Sequence, residues 1–427
     1  RLRDALSEYL GTTFSLADPE TRAALEDFLT DPGHGMFRGP YVRLRLPFGP
    51  AEDGWRDSLE WYEGFTPYGH QARAFARLSS AGLTAERSRP QPTLVTTGTG
   101  SGKTEAFLYP ILDHVQRARR QGIRGTKAII LYPMNALADD QAARLAEVLS
   151  SHAELADITA ALYTGQAGRQ RSRVSEAGLI TAREVIRDAP PDILLTNYKM
   201  LDQLLLRDRD APIWEQSATS LQYLVLDEFH TYDGAQGTDV SMLLRRLGLA
   251  LKAHWPEDDV TITGEDRRRP LGRITPVATS ATLGSSGETN HMRAFARTVF
   301  GEEFGPDAVI TESRLAIDEW AADGIERVSA RGWAPVEFTT LTGLAQLGGE
   351  HDAGDLPAAQ VARAVLADMF HTGTGEVVDL TDADSELLLD LVKAHPFVHR
   401  LIDAASSAVD VTELADALVP RSAASTR

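Results

Sequence analysis

In LVTTGTGSGKTEAF, residues 94–107, a short apolar run gives way to small residues, then to Gly-Lys-Thr, then to a helical period. Strand, glycine loop and helix in that order make an anion cradle. Gly98, Gly100 and Gly102 let the backbone turn tightly and aim amide N–H groups inward, at a helix N-terminus that itself favours negative charge. Thr97, Thr99 and Ser101 complete the loop. Lys103 supplies a mobile charge for the β and γ phosphates, and the Thr104 hydroxyl is suited to ligate Mg²⁺. The run Thr97–Thr104 is therefore expected to hold ATP with Mg²⁺. A flexible glycine-rich loop is the bland alternative, and the flanking strand and helix weigh against it.

The theme of this stretch recurs on both sides. TLVTT (93–97), KAIILYP (127–133), DILLTN (192–197), YLVLDE (223–228) and ITPVATSAT (274–282) are short, apolar on both faces and bounded by turn residues. Strands buried inside a parallel sheet read this way. Helical periods lie between them, as in 104–119, where Phe107, Leu108, Ile111, Leu112 and Val115 share a face. The expected class is α/β, a mainly parallel sheet flanked by helices with right-handed crossovers, over residues 65–305. Residues 1–64 read as an N-terminal extension of short helices and loops, and 306–427 as an acidic, mainly helical segment. HTGTGEVV (371–378) imitates a phosphate loop but lacks lysine and follows no clear strand, so it reads as a turn.

The chain has 427 residues, 43% hydrophobic and 24% charged, which suits two or three domains. No apolar run reaches the roughly 18–20 residues of a membrane span. Cysteine is absent, which excludes disulfides and thiolate zinc sites within the chain and permits a cytoplasmic location, the one expected here. The start at Arg1 and the tail SAASTR suggest a partial polypeptide. The net charge of −18 argues against a polyanionic partner, but residues 301–427 carry −15 of it. Residues 1–300 are near neutral with local basic clusters, so contact with nucleic acid stays open.

YLVLDEFHTYDGAQGTDVSMLLRRL (223–247) supplies the acids. Asp227 and Glu228 stand at the C-terminal end of an apolar strand, where ligands bind in open α/β sheets. Two adjacent carboxylates there divide the work: Asp227 holds the Mg²⁺ shell, and Glu228 orients and deprotonates the attacking water.

TGTGSGKT followed by DEFH resembles the first motor domain of superfamily 2 DExH helicases, which implies a RecA-like P-loop NTPase domain over 65–305, and further matches follow in order over roughly residues 35–300. FTPYGHQ (65–71) resembles a Q-motif, which implies that Gln71 reads the adenine edge and that Phe65 or Tyr68 stacks on the base. YPMNALADDQ (132–141), with Pro133 and Asn135, resembles motif Ia. YTGQ (163–166), with Thr164 and Gly165, and LLTNYKML (194–201), with Thr196, Asn197 and Tyr198, resemble the other strand-backbone motifs. SATL (280–283), with Ser280, Ala281 and Thr282, resembles the motif that couples hydrolysis to strand movement, with His230 as the relay. Thr97, where the strict phosphate-loop pattern has glycine, is familiar in such helicases. The motif set is similar to the Lhr-like and MrfA-like branch, which includes large helicases of bacterial anti-phage systems. That resemblance implies 3′ to 5′ movement on single-stranded DNA, a second RecA-like lobe with γ-phosphate arginines, and a protein partner in a defence complex. Residues 301–427 show no Gly-Arg-x-x-Arg string, so hydrolysis is expected to need a second lobe from elsewhere.

Read physically, these loops follow strand ends on the nucleotide's own edge. Short hydrogen-bonding residues there suit phosphate contacts that carry no sequence information. Capping and turn chemistry is the competing explanation for each. Of the basic clusters, Arg169, Arg171 and Arg173 follow YTGQ and are the favoured strand contact; Arg119/Arg120/Arg124 and Arg267/Arg268/Arg269 read as solvated connections. Two other functions fit the same motifs: a nucleotide-gated scaffold that binds a partner protein, and a duplex translocase that does not unwind.

Overall fold

The computed structural model describes residues 2–13, 18–31, 33–36, 39–61, 64–84, 87–165, 170–281, 286–337 and 358–418. They form two compact units, Phe48–Ser313 and the combination of Arg1–Pro47 with Arg314–Arg427.

The first unit is built on a seven-stranded sheet: β1 (Thr93–Thr96), β2 (Ala128–Tyr132), β3 (Ala160–Tyr163), β4 (Ile193–Asn197), β5 (Tyr223–Leu226), β6 (Thr275–Ser280) and β7 (Val309–Thr311). The spatial order is β3-β4-β2-β5-β6-β1-β7, and every neighbouring pair is parallel. The helices that matter for the site are α1 (Gly69–Leu78), α2 (Lys103–Arg120), α3 (Asn135–Ser151), α4 (Tyr198–Leu206) and α5 (Gly234–Lys252).

The central strands are mainly apolar because both faces are covered. In β2, Ile129 and Leu131 pack into one core with Leu201, Leu204 and Val240, while Ala128, Ile130 and Tyr132 pack into another with Phe75, Phe107 and Leu145. Successive strand residues point to opposite faces, so burial on both sides demands an unbroken apolar run. The lower end of the sheet carries a buried ion pair. Lys127 Nζ lies 2.8 Å from Asp192 Oδ1, each side chain 2% exposed or less. Asp192 also accepts from Arg119 (2.7 Å) and from the backbone and hydroxyl of Thr159 (2.8 Å each).

Two strands, β3 and β7, were not among the runs read as strands. β7 extends the sheet past residue 305, so this unit ends at Ser313 rather than 305 and begins at Phe48 rather than 65. Residues 1–47, expected as a separate extension, cluster with the C-terminal part: Tyr41–Val42 pairs antiparallel with Val409–Asp410. That second unit is mainly helical, with helices at Ile317–Ala330, Ala358–Asp368, Ser385–Ala394 and Pro396–Ala404 around Val328, Leu366, Phe370 and Leu391. Within it, 372–376 is a turn closed by Thr372 N donating to Glu376 O (2.7 Å). Among the described residues, no helix is long and apolar enough to cross a membrane.

Candidate functional site

All seven strands run the same way, so the loops leaving β1 to β6 meet at one edge. Gly100 (φ 77°) and Gly102 (φ 74°) give the loop after β1 two left-handed residues, a conformation that side-chain-bearing residues resist. Gly102 precedes α2, so the positive end of that helix faces the loop. Thr97 is fully buried and accepts a hydrogen bond from Ser101 Oγ (2.6 Å), which explains a hydroxyl where the strict pattern has glycine. The Gly98 N–H goes to the Glu312 carboxylate (3.4 Å) rather than to the nest expected of it.

The N-terminus of α1 grips the loop from outside. His70 Nε2 lies 2.8 Å from Ser101 O, and Gln71 Nε2 donates to Gly102 O (3.1 Å). The other end of the Gln71 amide accepts from Tyr68 N (2.9 Å). Gln71 thus braces the loop and keeps one amide hydrogen for anything else. A Cβ on Gly102 would come within 2.1 Å of Gln71 Nε2, so the grip itself requires glycine there.

The acids come from the end of β5. Asp227 is 6% exposed, and Thr279 Oγ1 on β6 donates to its Oδ1. Burial pushes the Asp227 pKa up; the Thr279 hydrogen bond opposes this, the Glu228 charge adds to it, and Lys103 opposes it. The Glu228 N–H donates to the same Thr279 hydroxyl (3.2 Å). Glu228 is the one non-glycine at positive φ (51°) among the described residues. Its Oε1 lies 3.5 Å from Lys103 Nζ and its Oε2 3.5 Å from His230 Nδ1. His230 Nδ1 in turn lies 3.2 Å from Ser280 Oγ. Lysine, acid, histidine and serine therefore form one chain of contacts. Ala281 follows, exposed, and Thr282 lies outside the described residues.

Lys103, Asp227 and Glu228 line a cleft of about 590 Å³ that Phe65, Thr99, Gly100, Thr104 and Gln71 also border, whereas His230 and Ser280 stand behind Glu228. Phe65 packs on Tyr109 (centroids 5.5 Å apart), and Tyr68 stacks on His70 (5.6 Å). The cleft fits a nucleotide with its metal. Its volume is in the range of ligand pockets, a glycine cradle floors it, and Thr104 faces it together with a buried, acceptor-only Asp227. Mg²⁺ typically takes one or two protein oxygens and completes its shell with phosphate and water.

A second cleft of about 560 Å³ opens on the same edge, lined by Pro133, Asn135, Gly165, Asn197, Tyr198 and Lys199. Asn197 does double duty. Its Oδ1 caps α4 at Met200 N (2.8 Å), and its Nδ2 donates to Asn135 Oδ1 (2.7 Å). Thr196 does not join them: its hydroxyl is buried and donates to Tyr163 O (2.6 Å). Thr164 O accepts from Arg183 (3.5 Å), and the Arg171 guanidinium lies against Gly178. Neither borders the cleft, and Arg169 lies outside the described residues. Helix α3 spans both sites, with Asn135 at the second cleft and Gln141 and Arg144 at the first. Of the other arginine clusters, Arg119 pairs with Asp192, Arg120 with Glu60 (3.4 Å) and Arg269 with Asp266 (2.9 Å).

Sequence reading missed several residues at the site. Thr279 was passed over, although it precedes Ser280 at a strand end beside the acidic pair. Gln141 and Gln236 lie in the 132–141 and 223–247 stretches but had no role assigned, and Arg144 and Gln203 carry no motif signal; only the fold brings the four to the clefts.

A parallel sheet of this order, with a glycine loop and an acidic pair at one edge, defines a RecA-like P-loop domain. The DEAD/DEAH box helicase family matches residues 68–288, more than half of the chain, and the chain belongs to that family. It is 28% identical over 315 residues to Druantia protein DruE of Escherichia coli (strain UMEA 4076-1), covering 51% of this chain and 16% of that protein. It is 29% identical over 181 residues to the ATP-dependent helicase YprA of Bacillus subtilis (strain 168), covering 42% and 20% respectively. The match thus spans a fifth or less of either relative. A solved structure of the DUF1998 helicase MrfA bound to DNA superposes with a TM-score of 0.42 at 22% identity, over 63% of this chain and 29% of that one, too partial a likeness to transfer geometry.

Proposed function

We propose that the chain is the ATP-binding motor lobe of a DNA helicase or translocase, with Mg·ATP in the first cleft and a single strand in the second. The observation that carries this reading is the contact chain Lys103–Glu228–His230–Ser280, which joins a phosphate loop to the end of a neighbouring strand. A magnesium-bound triphosphate supplies a phosphoryl group whose negative charge is already partly neutralised. The protein positions and compensates charge. Main-chain N–H groups of the loop and Lys103 take the phosphate oxygens, and Thr104 and Asp227 hold the metal. Glu228 accepts the proton of the attacking water at a carboxylate oxygen. His230 touches both Glu228 and Ser280, so a shift of the acid reaches β6.

In the second cleft, Asn135, Asn197 and the Gly165 backbone suit phosphate and sugar contacts, Tyr198 offers a ring for stacking, and Lys199 offers a charge. Thr164 and Arg171 are kept as proposed strand contacts although neither borders the cleft, and Arg169, outside the described residues, is kept on the sequence alone. Full turnover is proposed to need a second RecA-like lobe carrying arginines. The proposed location is the cytoplasm. Similarity to Druantia protein DruE favours a defence-system setting with a protein partner.

The test is the ATPase rate of the full-length protein with and without single-stranded DNA, beside a titration of DNA affinity against salt. DNA stimulation and a steep salt dependence are expected. Absence of both, with nucleotide-dependent capture of a protein partner, would replace the motor by a nucleotide-gated scaffold. Displacement and triplex-disruption assays separate unwinding from movement along duplex.

A further inference from the structure

The nucleotide cleft has a wall that neither the phosphate loop nor the acidic pair accounts for. Glu105 follows Thr104 on the first turn of α2, and Arg144 reaches it from α3, with Nη2 2.6 Å from Glu105 Oε1. Both side chains border the cleft. Oε1 is thus engaged, and the structure fixes where Oε2 goes. A Cβ built on Gly102 would meet Gln71 Nε2 at 2.1 Å and Glu105 Oε2 at 3.3 Å. Oε2 therefore lies close to Gly102 of the phosphate loop, in the cleft that Phe65, Tyr68 and Gln71 also border. The Glu105 side chain is only 24% exposed.

We propose that Glu105 is a specificity-determining residue for the nucleoside half of the nucleotide: Oε2 accepts a hydrogen bond from a donor on the sugar or base, and Arg144 positions the carboxylate. An ionised carboxylate only accepts, so it selects a ligand donor and penalises an acceptor or a missing group. The ribose hydroxyls and the exocyclic amine of adenine are the two donors of that kind in ATP. Arg144 also offsets the charge that Glu105 brings near a triphosphate, which explains how an acid is tolerated one residue after the Lys-Thr pair. The inference rests on the first cleft being the nucleotide site.

Calorimetry on the full chain with Mg²⁺ and ATP, 2′-deoxy-ATP, 3′-deoxy-ATP or inosine triphosphate tests it, with wild type, Glu105→Ala, Glu105→Gln, Arg144→Ala and Arg144→Lys. Wild type is expected to prefer ATP over at least one analogue by ~10-fold or more, the scale of one hydrogen bond to a charged group. Glu105→Ala should collapse that ratio by lowering ATP affinity to that of the analogue. Glu105→Gln, nearly isosteric, should keep the melting temperature and narrow the ratio. Arg144→Ala should narrow the same ratio and Arg144→Lys restore part of it, a pattern that lost stability does not produce. Collapse against a deoxy analogue assigns the sugar, and collapse against inosine triphosphate assigns the base amine. Unchanged ratios in both Glu105 variants, with ATP still bound, overturn the proposal. Failure of wild type to bind ATP at all overturns the nucleotide site instead.

Discussion

Glu228 places one carboxylate oxygen 3.5 Å from the Lys103 ammonium. The residue proposed to activate water thus holds the residue proposed to meet the phosphates. A triphosphate at the loop must compete with Glu228 for that ammonium, and a carboxylate released from lysine is freed to orient water while His230 stays within reach of its second oxygen.

Separate substitutions should divide these roles. Lys103→Ala removes the charge that binds phosphate, so ATP affinity falls. Glu228→Gln keeps the shape, so ATP binds while turnover drops by ~10²–10⁴-fold, the usual contribution of a general base. Calorimetry beside DNA-stimulated ATPase assays distinguishes the two; equal loss of binding in both variants would contradict the assignment.

Asp227 sets a pH signature. Burial raises its folded-state pKa above the unfolded value of 3.8. Between the two pKa values the folded chain binds more protons, so Asp227 costs stability as pH rises through that window. Asp227→Asn stays neutral. It should melt higher than wild type near neutral pH, with the gap closing below the ordinary aspartate range, and should lose ATPase activity. Melting curves from acid to neutral pH check the sign.

Asn197 joins a helix cap to the second cleft. Asn197→Ala should cost ~0.5–2 kcal/mol in urea unfolding through the lost cap, and weaken DNA binding. Asn197→Asp keeps the cap acceptor but cannot donate to Asn135 and adds a charge facing phosphates. Stability should hold while DNA affinity falls, read by fluorescence anisotropy.

The Lys127–Asp192 pair lies at the opposite end of the sheet. Truncating Asp192 to alanine removes the carboxylate that pairs with the buried Lys127 ammonium and also leaves Arg119 and the Thr159 hydroxyl without it, at a cost of ~3–5 kcal/mol. Chemical denaturation should show that loss. An Asp192→Ala variant as stable as wild type would mean Lys127 reaches water.

The sheet was legible in the sequence where strands are buried on both faces. AIILY and the first three residues of ILLTN read cleanly because each of those side chains meets a core. AALY of β3 was missed because two alanines suit a helix as well as a strand, and β7 because a three-residue edge strand has no periodicity to read. Lys103, Asp227 and Glu228 were legible as cleft residues because local chain geometry places them at strand ends on one edge. Gln71 was read only as a base contact, since its bond to Gly102 spans 31 residues that only tertiary folding brings together. Thr196 was read as a surface contact because sequence gives the strand end but not which way the hydroxyl turns.

Strand β6 lies in the sheet between β5, which ends in the acids, and β1, which ends in the phosphate loop. Its last two residues, Thr279 and Ser280, touch Asp227, Glu228 and His230 without belonging to the hydrolytic set. In the proposed motor, such a strand would act as a clutch plate between fuel and output. Altering it would let the machine idle, consuming nucleotide without travelling, and a lineage could retune gearing there while its combustion chemistry stayed intact.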